Sequence, residues 1–368
     1  MPAPHRLAVL HSGFVNIHGM PYSVLVNEWA ASLGSTRLRT VALYRQNFLS
    51  WLSDNHDWVS PKRSTDDFIG QLEALYRDTW NEIKKMEDDL GTSDDPVQRC
   101  LEIWHDKASM LSSSPPLAHD KGDWTKSTYE TLKDRIEETR DYWFDDIPIN
   151  EEISEQIELV TRLYLERGQR LERSELAFVG YGDKHLLPSY ACVEISGFVN
   201  DSLLYKMTRE RIAPDLESGN FCAICPIGQS DAIDRFLLGV DYRTVDVATG
   251  AAMDKFIKYS HGVDQDKPYD DSTPLTDEEV ALGNAVDSAI NQAFRTWSEK
   301  YFKQPLVGVI AALPLASLAT AARSLIEIQS LSQTITGEMG TVGGPIDVAM
   351  ISRENGFQWI NHKSVSLT

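Results

Sequence analysis

Residues 60–173 interrupt a chain whose two ends carry strand-like apolar runs, and no other feature constrains the fold more. This stretch holds 16 basic and 27 acidic residues, a net of −11, so about half of the chain's total formal charge of −20 lies here. Its periodicity is helical throughout. Phe68, Leu72, Leu75, Tyr76 and Trp80 recur at the i, i+3, i+4 spacing, as do Tyr129, Leu132 and Ile136, and Ile153, Ile157, Val160 and Tyr164. Ser112-Ser113-Ser114-Pro115-Pro116 breaks the pattern as a loop. The stretch is expected to form a solvated antiparallel helical insertion whose charges cover a wet surface. It divides the core into residues 1–59 and 174–368.

The first core segment opens with Leu7-Ala8-Val9-Leu10, closed by Ser12-Gly13, a buried strand and turn. A helix is expected from Tyr22 to Leu33, with Gly34 as its stop, and a second carries Val41, Tyr44, Phe48, Trp51 and Leu52 on one face. The last segment returns to strands at 176–182, 191–197, 202–207 and 221–227. A helix follows Gly228, with Ser230 or Asp231 as its cap. Residues 264–276 read as loop, 277–302 and 314–333 as helices, and Asn355-Gly356 joins two closing strands into a hairpin. This order suggests an α/β (α+β) chain, two sheets between helices in a four-layer αββα sandwich with a helical insertion.

Charge narrows the function. An excess of 20 acidic groups excludes the basic footprint that nucleic acid needs and opposes docking on anionic lipid. The longest apolar runs, such as 306–313, fall far short of the roughly 20 residues of a membrane helix. Four cysteines in 368 residues make no disulfide framework. The expectation is a soluble cytoplasmic protein with no nucleic-acid and no membrane partner.

Several segments carry a resemblance. Gly343-Gly344-Pro345-Ile346-Asp347-Val348-Ala349-Met350-Ile351 with the Asn-Gly turn is similar to the closing hairpin of proteasome-type β subunits. Residues 176–182 followed by 190–197 resemble their central strands, 221–239 their strand and helix around a Ser-containing glycine turn, and 7–33 the strand and helix after the catalytic hairpin. The likeness covers about residues 1–55 and 174–362. It implies the N-terminal-nucleophile (Ntn) hydrolase fold, in which the first residue of the mature chain is a Thr, Ser or Cys and its own amine is the general base.

This chain departs from that pattern. Met1-Pro2 supplies no hydroxyl or thiol, and the likeness begins at the strand after the catalytic hairpin. The turn serine of the family falls at Ser230. Its Asp and Ser before the last Gly-rich strand fall on Met339, beside Glu338, and near Val342, beside Thr341. Ser230, Glu338 and Thr341 are therefore the relic candidates for a catalytic site. The resemblance implies a non-catalytic structural or assembly protein. The alternative is an Ntn peptidase or amidohydrolase whose catalytic hairpin lies upstream. Because the family stacks through its helix layer, homo-oligomerisation is expected through residues 22–52, on a stripe of Val26, Trp29, Tyr44, Phe48 and Trp51; the competing reading has both helices covering their own sheet.

The remaining motifs are weak. Cys222-x-x-Cys225 lacks a second ligand pair for zinc and falls in an expected strand, so both are read as structural. His5, His11 and His18 cluster near the start, but His11 beside Ser12 makes no relay by adjacency. His56 and His261 are read as loop residues. Gly180-Tyr181-Gly182-Asp183-Lys184-His185 and the glycines of 340–344 lack a nucleotide-binding fingerprint. Neither a cofactor nor a metal is expected.

Overall fold

The computed structural model describes residues 5–90, 96–117, 124–145, 147, 149–168, 173–211, 222–261, 276–336 and 344–362. The chain divides into two compact units. The first comprises residues 1–213 with 351–357, and the second 214–350 with 358–368.

The first unit is built on a four-stranded antiparallel sheet. Strand β1 (Leu7–Gly13) leads to a short hairpin, β2 (Asn16–Ile17) and β3 (Met20–Pro21). Helices α1 (Tyr22–Leu33) and α2 (Val41–Asp54) follow. Four longer helices come next: α3 (Pro61–Leu90), α4 (Pro96–Ser113), α5 (Trp124–Phe144) and α6 (Glu151–Arg167). The chain then returns to the sheet as β4 (Ser174–Gly180), β5 (Ser189–Val199) and β6 (Ser202–Arg211), giving the order β1-β4-β5-β6. Strands that are 160 residues apart in sequence thus pair directly, Leu7 opposite Gly180 and Gly13 opposite Ser174.

Local chemistry sets the helix ends. Thr40 caps α2 by accepting from the Leu43 N–H, and Asn150 caps α6 by accepting from the Ile153 N–H. Gly34 ends α1 at φ 56°, a left-handed value that glycine adopts freely. Helices α1 and α2 lie on one face of the sheet. Trp29, Tyr44, Phe48 and Leu52 share a core with Leu7, Leu176, Phe178, Val193 and Ile195. This corrects the expected association stripe. Trp29, Tyr44 and Phe48 are at most 1% exposed inside the chain's own core, and Val26 and Trp51 pack against it half-buried. Both helices cover their own sheet.

The insertion is a bundle with its own core. Helix α4 packs against α6, α3 against α5, and the pairs α3·α4 and α5·α6 close the ring. Phe68, Leu72, Tyr76, Trp104, Leu132, Phe144, Ile153 and Val160 fill the middle. Val199 and Leu204, from the β5–β6 turn, belong to the same core, so the bundle grows out of the end of the sheet. The expected helical faces are the buried ones.

The described helices of the second unit are α7 (Asp231–Leu238), α8 (Tyr242–Ser260), α9 (Asp277–Ser298), a π-helical turn (Glu299–Lys303), α10 (Gln304–Ala311) and α11 (Leu315–Thr336). Helix α8 was not expected; its apolar positions are too scattered to form a clean stripe. The expected strand at 221–227 is absent, because residues 222–227 are irregular. Most of the expected loop at 264–276 lies outside the described residues. The closing strands β7 (Val348–Ser352) and β8 (Gly356–Asn361) form the expected two-stranded sheet, but the turn is the three residues 353–355, with Gly356 at φ 66° opening β8, rather than a two-residue Asn-Gly turn. The chain is therefore mixed α/β with an antiparallel sheet. Its described strands form one four-stranded and two two-stranded sheets.

Candidate functional site

Of the three relic positions, Glu338 and Thr341 lie outside the described residues, as do Met339 and Val342. Ser230 occupies the N-cap position of α7, yet its hydroxyl donates to Asp234 Oδ2 at 2.6 Å instead of capping the backbone. Asp234 lines a cleft of about 820 Å³, open solvent included, with Leu237, Arg295, Glu299 and Lys303. Burial alone would raise the Glu299 pKa, but hydrogen bonds from Lys303 and Gln304 outweigh it and hold the carboxyl below its ordinary range. Ser230 faces the Asp234 carboxylate here, not the α-amine that the resemblance makes the general base.

The other singled-out side chains have structural duties. His5 donates from Nε2 to the Gly34 carbonyl at 2.9 Å, which leaves Nδ1 to accept from the Tyr44 hydroxyl at 3.2 Å. His56 lies 2.5 Å from the Ser53 carbonyl and stacks on Phe198. His11 is exposed, and Ser12 is paired opposite Glu175 in the sheet. His185 Nδ1 meets the Ser189 hydroxyl at 3.1 Å. His261 caps the C-terminus of α8. Cys222 and Cys225 are half-buried in an irregular segment, which corrects their placement in a strand. Among the described residues, no group of three or more His, Cys, Asp or Glu is placed to hold a metal ion.

The polar groups converge around His18. The β2–β3 hairpin turns on His18-Gly19, with φ of 47° and 85°, the two left-handed residues of a type I′ turn. The X-Gly pair at its tip was the sequence signal that could have revealed it. Gly19 suits this position because its φ of 85° is one that residues with a Cβ rarely adopt. The turn carries His18 onto the sheet. Its Nε2 accepts from the Phe198 N–H at 2.8 Å, so the proton sits on Nδ1, which donates to Asp67 Oδ2 at 2.7 Å. The imidazole has no nitrogen left to serve as a base. Two register shifts in the β5–β6 pairing help to shape the region. The first, at Cys192, coincides with a carbonyl that accepts from Arg45 Nη1. The second, at Ser196-Gly197, places both residues in the wall of the cleft; Gly197 has φ 99° and abuts the His18 ring.

This narrow cleft, with room for about one water, is lined by His18, Tyr22, Asp67, Gln71, Ser174 and Ser196 among others. Asp67 and Gln71 are one turn apart on α3 and share a face. The Ser174 hydroxyl donates to the Phe14 carbonyl at 2.6 Å. Burial pushes the Tyr22 phenol up to about 12, against the opposing effect of its hydrogen bond with Ser174. The folded pKa lies above the ordinary value of 10.0, so the unfolded chain ionises first. The stability this phenol confers is complete below pH 10 and falls away as the pH rises through about 12. Ultraviolet titration of the folded chain is expected to show a tyrosine component with a midpoint near 12, and Tyr22→Phe is expected to remove it. An unchanged titration curve in the variant would contradict the burial argument.

No family model matches this chain, and neither do any curated protein or any solved structure.

Proposed function

We propose that this chain is a non-catalytic structural or assembly protein on a proteasome-β-like core, and that it self-associates through helices α10 and α11. On this reading the β1-β4-β5-β6 sheet, with α1 and α2 on one face, is half of a four-layer αββα sandwich. One observation carries the assembly role. Helix α10 is made almost wholly of apolar residues, yet none of them is buried. Val309, Leu315, Leu331 and Ile335 are 53–75% exposed. From Gln304 to Thr336 the only charges are Arg323 and Glu327, which pair with each other at 2.8 Å. A chain of net charge −20 repels its own copies, and this neutral apolar surface is where two copies approach at least electrostatic cost.

Light scattering at micromolar concentration is expected to give at least twice the 41.4 kDa chain mass. Leu331→Lys with Ile335→Lys is expected to return the monomer without altering the circular dichroism spectrum. A wild-type chain that is wholly monomeric would end the reading.

A second reading, an Ntn peptidase or amidohydrolase, is favoured by the sheet order. Strand β1 is an edge strand, and its outer side pairs with no other strand among the described residues. It predicts turnover of fluorogenic peptides once a strand bearing a Thr, Ser or Cys nucleophile is supplied beside β1.

No helix among the described residues is long and apolar enough to cross a membrane.

A further inference from the structure

We propose that His18 is an acid-sensitive latch, which holds the β2–β3 hairpin to the end of strand β5 and lets go when its ring takes a second proton. The inference is independent of the assembly reading. Two bonds define the latch. Nε2 accepts from the Phe198 N–H at 2.8 Å and Nδ1 donates to Asp67 Oδ2 at 2.7 Å, on a side chain that is 7% exposed. Phe198 needs this outside acceptor. The β4 ladder stops at Ser174, opposite Ile195, so β5 runs on past it through residues 196–199. There the His18 ring stands in for the carbonyl of a neighbouring strand.

A neutral imidazole has one donor and one acceptor nitrogen, whereas an imidazolium has two donors. The second proton can enter only at Nε2, where it would point at the Phe198 N–H. Turning the ring over gives no relief, because both nitrogens then carry a proton. The Asp67 bond survives the change as a charge-assisted bond, and the Phe198 bond does not. A backbone N–H in so enclosed a place does not stay without an acceptor, so the hairpin tip moves off and water replaces it. Histidine is the side chain that ordinarily changes charge between about pH 5 and 8. The groups facing the ring come from four elements. Helix α3 brings Asp67 and Arg63, whose guanidinium lies against Gly19. Helix α1 brings the Tyr22 phenol, which burial keeps neutral in this range. Strands β4 and β5 bring Ser174, Ile195, Ser196 and Gly197, none of which ionises. His56 also lies near the latch, stacked on the Phe198 ring at 5.1 Å.

The test measures hydrogen-exchange protection of the Phe198 amide in the full chain at about pH 8 and about pH 5, corrected for the intrinsic exchange rate at each. Protection is expected to fall by about tenfold or more at the lower pH, the factor lost with one hydrogen bond. The amide of Val193, paired into the sheet between β4 and β6, is expected to keep its protection. His18→Gln offers Phe198 an oxygen that accepts but takes no proton, so its Phe198 protection is expected to be the same at both pH values. His56→Gln is expected to keep the wild-type response. Should His18→Gln fail to fold by circular dichroism, the wild-type comparison with Val193 and the His56→Gln response decide. The proposal is overturned if Phe198 protection in the wild type does not change with pH. A parallel loss at Val193, which is acid unfolding of the whole sheet, would overturn it too. So would a response that persists in His18→Gln or vanishes in His56→Gln.

Discussion

Replacing Trp29 by alanine is expected to lower the unfolding free energy by about 3–5 kcal/mol, measured by denaturant titration. Trp29 is 0% exposed and joins the helices to the sheet. Its ring meets Phe48 at 5.2 Å, Phe178 at 5.8 Å and Tyr44 at 6.4 Å, each edge-on, and such pairs add to the burial itself. Its Nε1 donates to Asn47 Oδ1 at 2.9 Å, so truncation also strands an acceptor. Phe48 and Phe178 sit on separate layers and cannot both move in to fill the space. A loss below about 1 kcal/mol would mean that α1 is not docked on the sheet as described.

The bundle offers a contrasting experiment at Trp104. It too is 0% exposed, wedged edge-on against Tyr76 at 6.1 Å and Phe144 at 5.5 Å. Trp104→Ala is expected to cost about 3–5 kcal/mol, as at Trp29. Unlike Trp29, its indole N–H is buried with no acceptor among the described residues. Phenylalanine removes that orphan donor while keeping most of the ring, so Trp104→Phe is expected to stay within about 1 kcal/mol of wild type. A large loss in both variants would show that the indole N–H has a partner in the folded chain. Trp29 and Trp104 belong to different cores, so the double alanine variant is expected to lose close to the sum of the two single losses.

The helical stretches with clean spacing were legible because amphipathic periodicity is a local signal. Phe68, Leu72 and Tyr76 recur at i, i+4, i+8, and all three are fully buried in the structure. The closing hairpin was legible from Gly356, whose φ of 66° glycine adopts freely, though the turn before it has three residues and not the two of an Asn-Gly turn. Residues 222–227 misled because a short apolar run with two cysteines has the composition of a strand, and only pairing makes one. Helix α8 escaped because no apolar stripe announces it.

The candidate site shows the same division. The resemblance directed attention to Ser230, Glu338 and Thr341, yet the polar convergence that the structure displays lies at His18, Asp67, Gln71 and Ser196. Those four come from a hairpin turn, a bundle helix and a β-bulge, 49 and 125 residues apart at the two jumps. No local spacing encodes such a meeting. By itself the sequence determined which faces are apolar, where the helices of the insertion run and the strongly acidic surface, because each depends on neighbours within a few residues. Only the tertiary structure decided that the aromatic stripe of α1 and α2 is interior and that α10 is not. Whether an apolar face becomes core or surface depends on which other face meets it, and that partner is set by strand pairing across more than 160 residues.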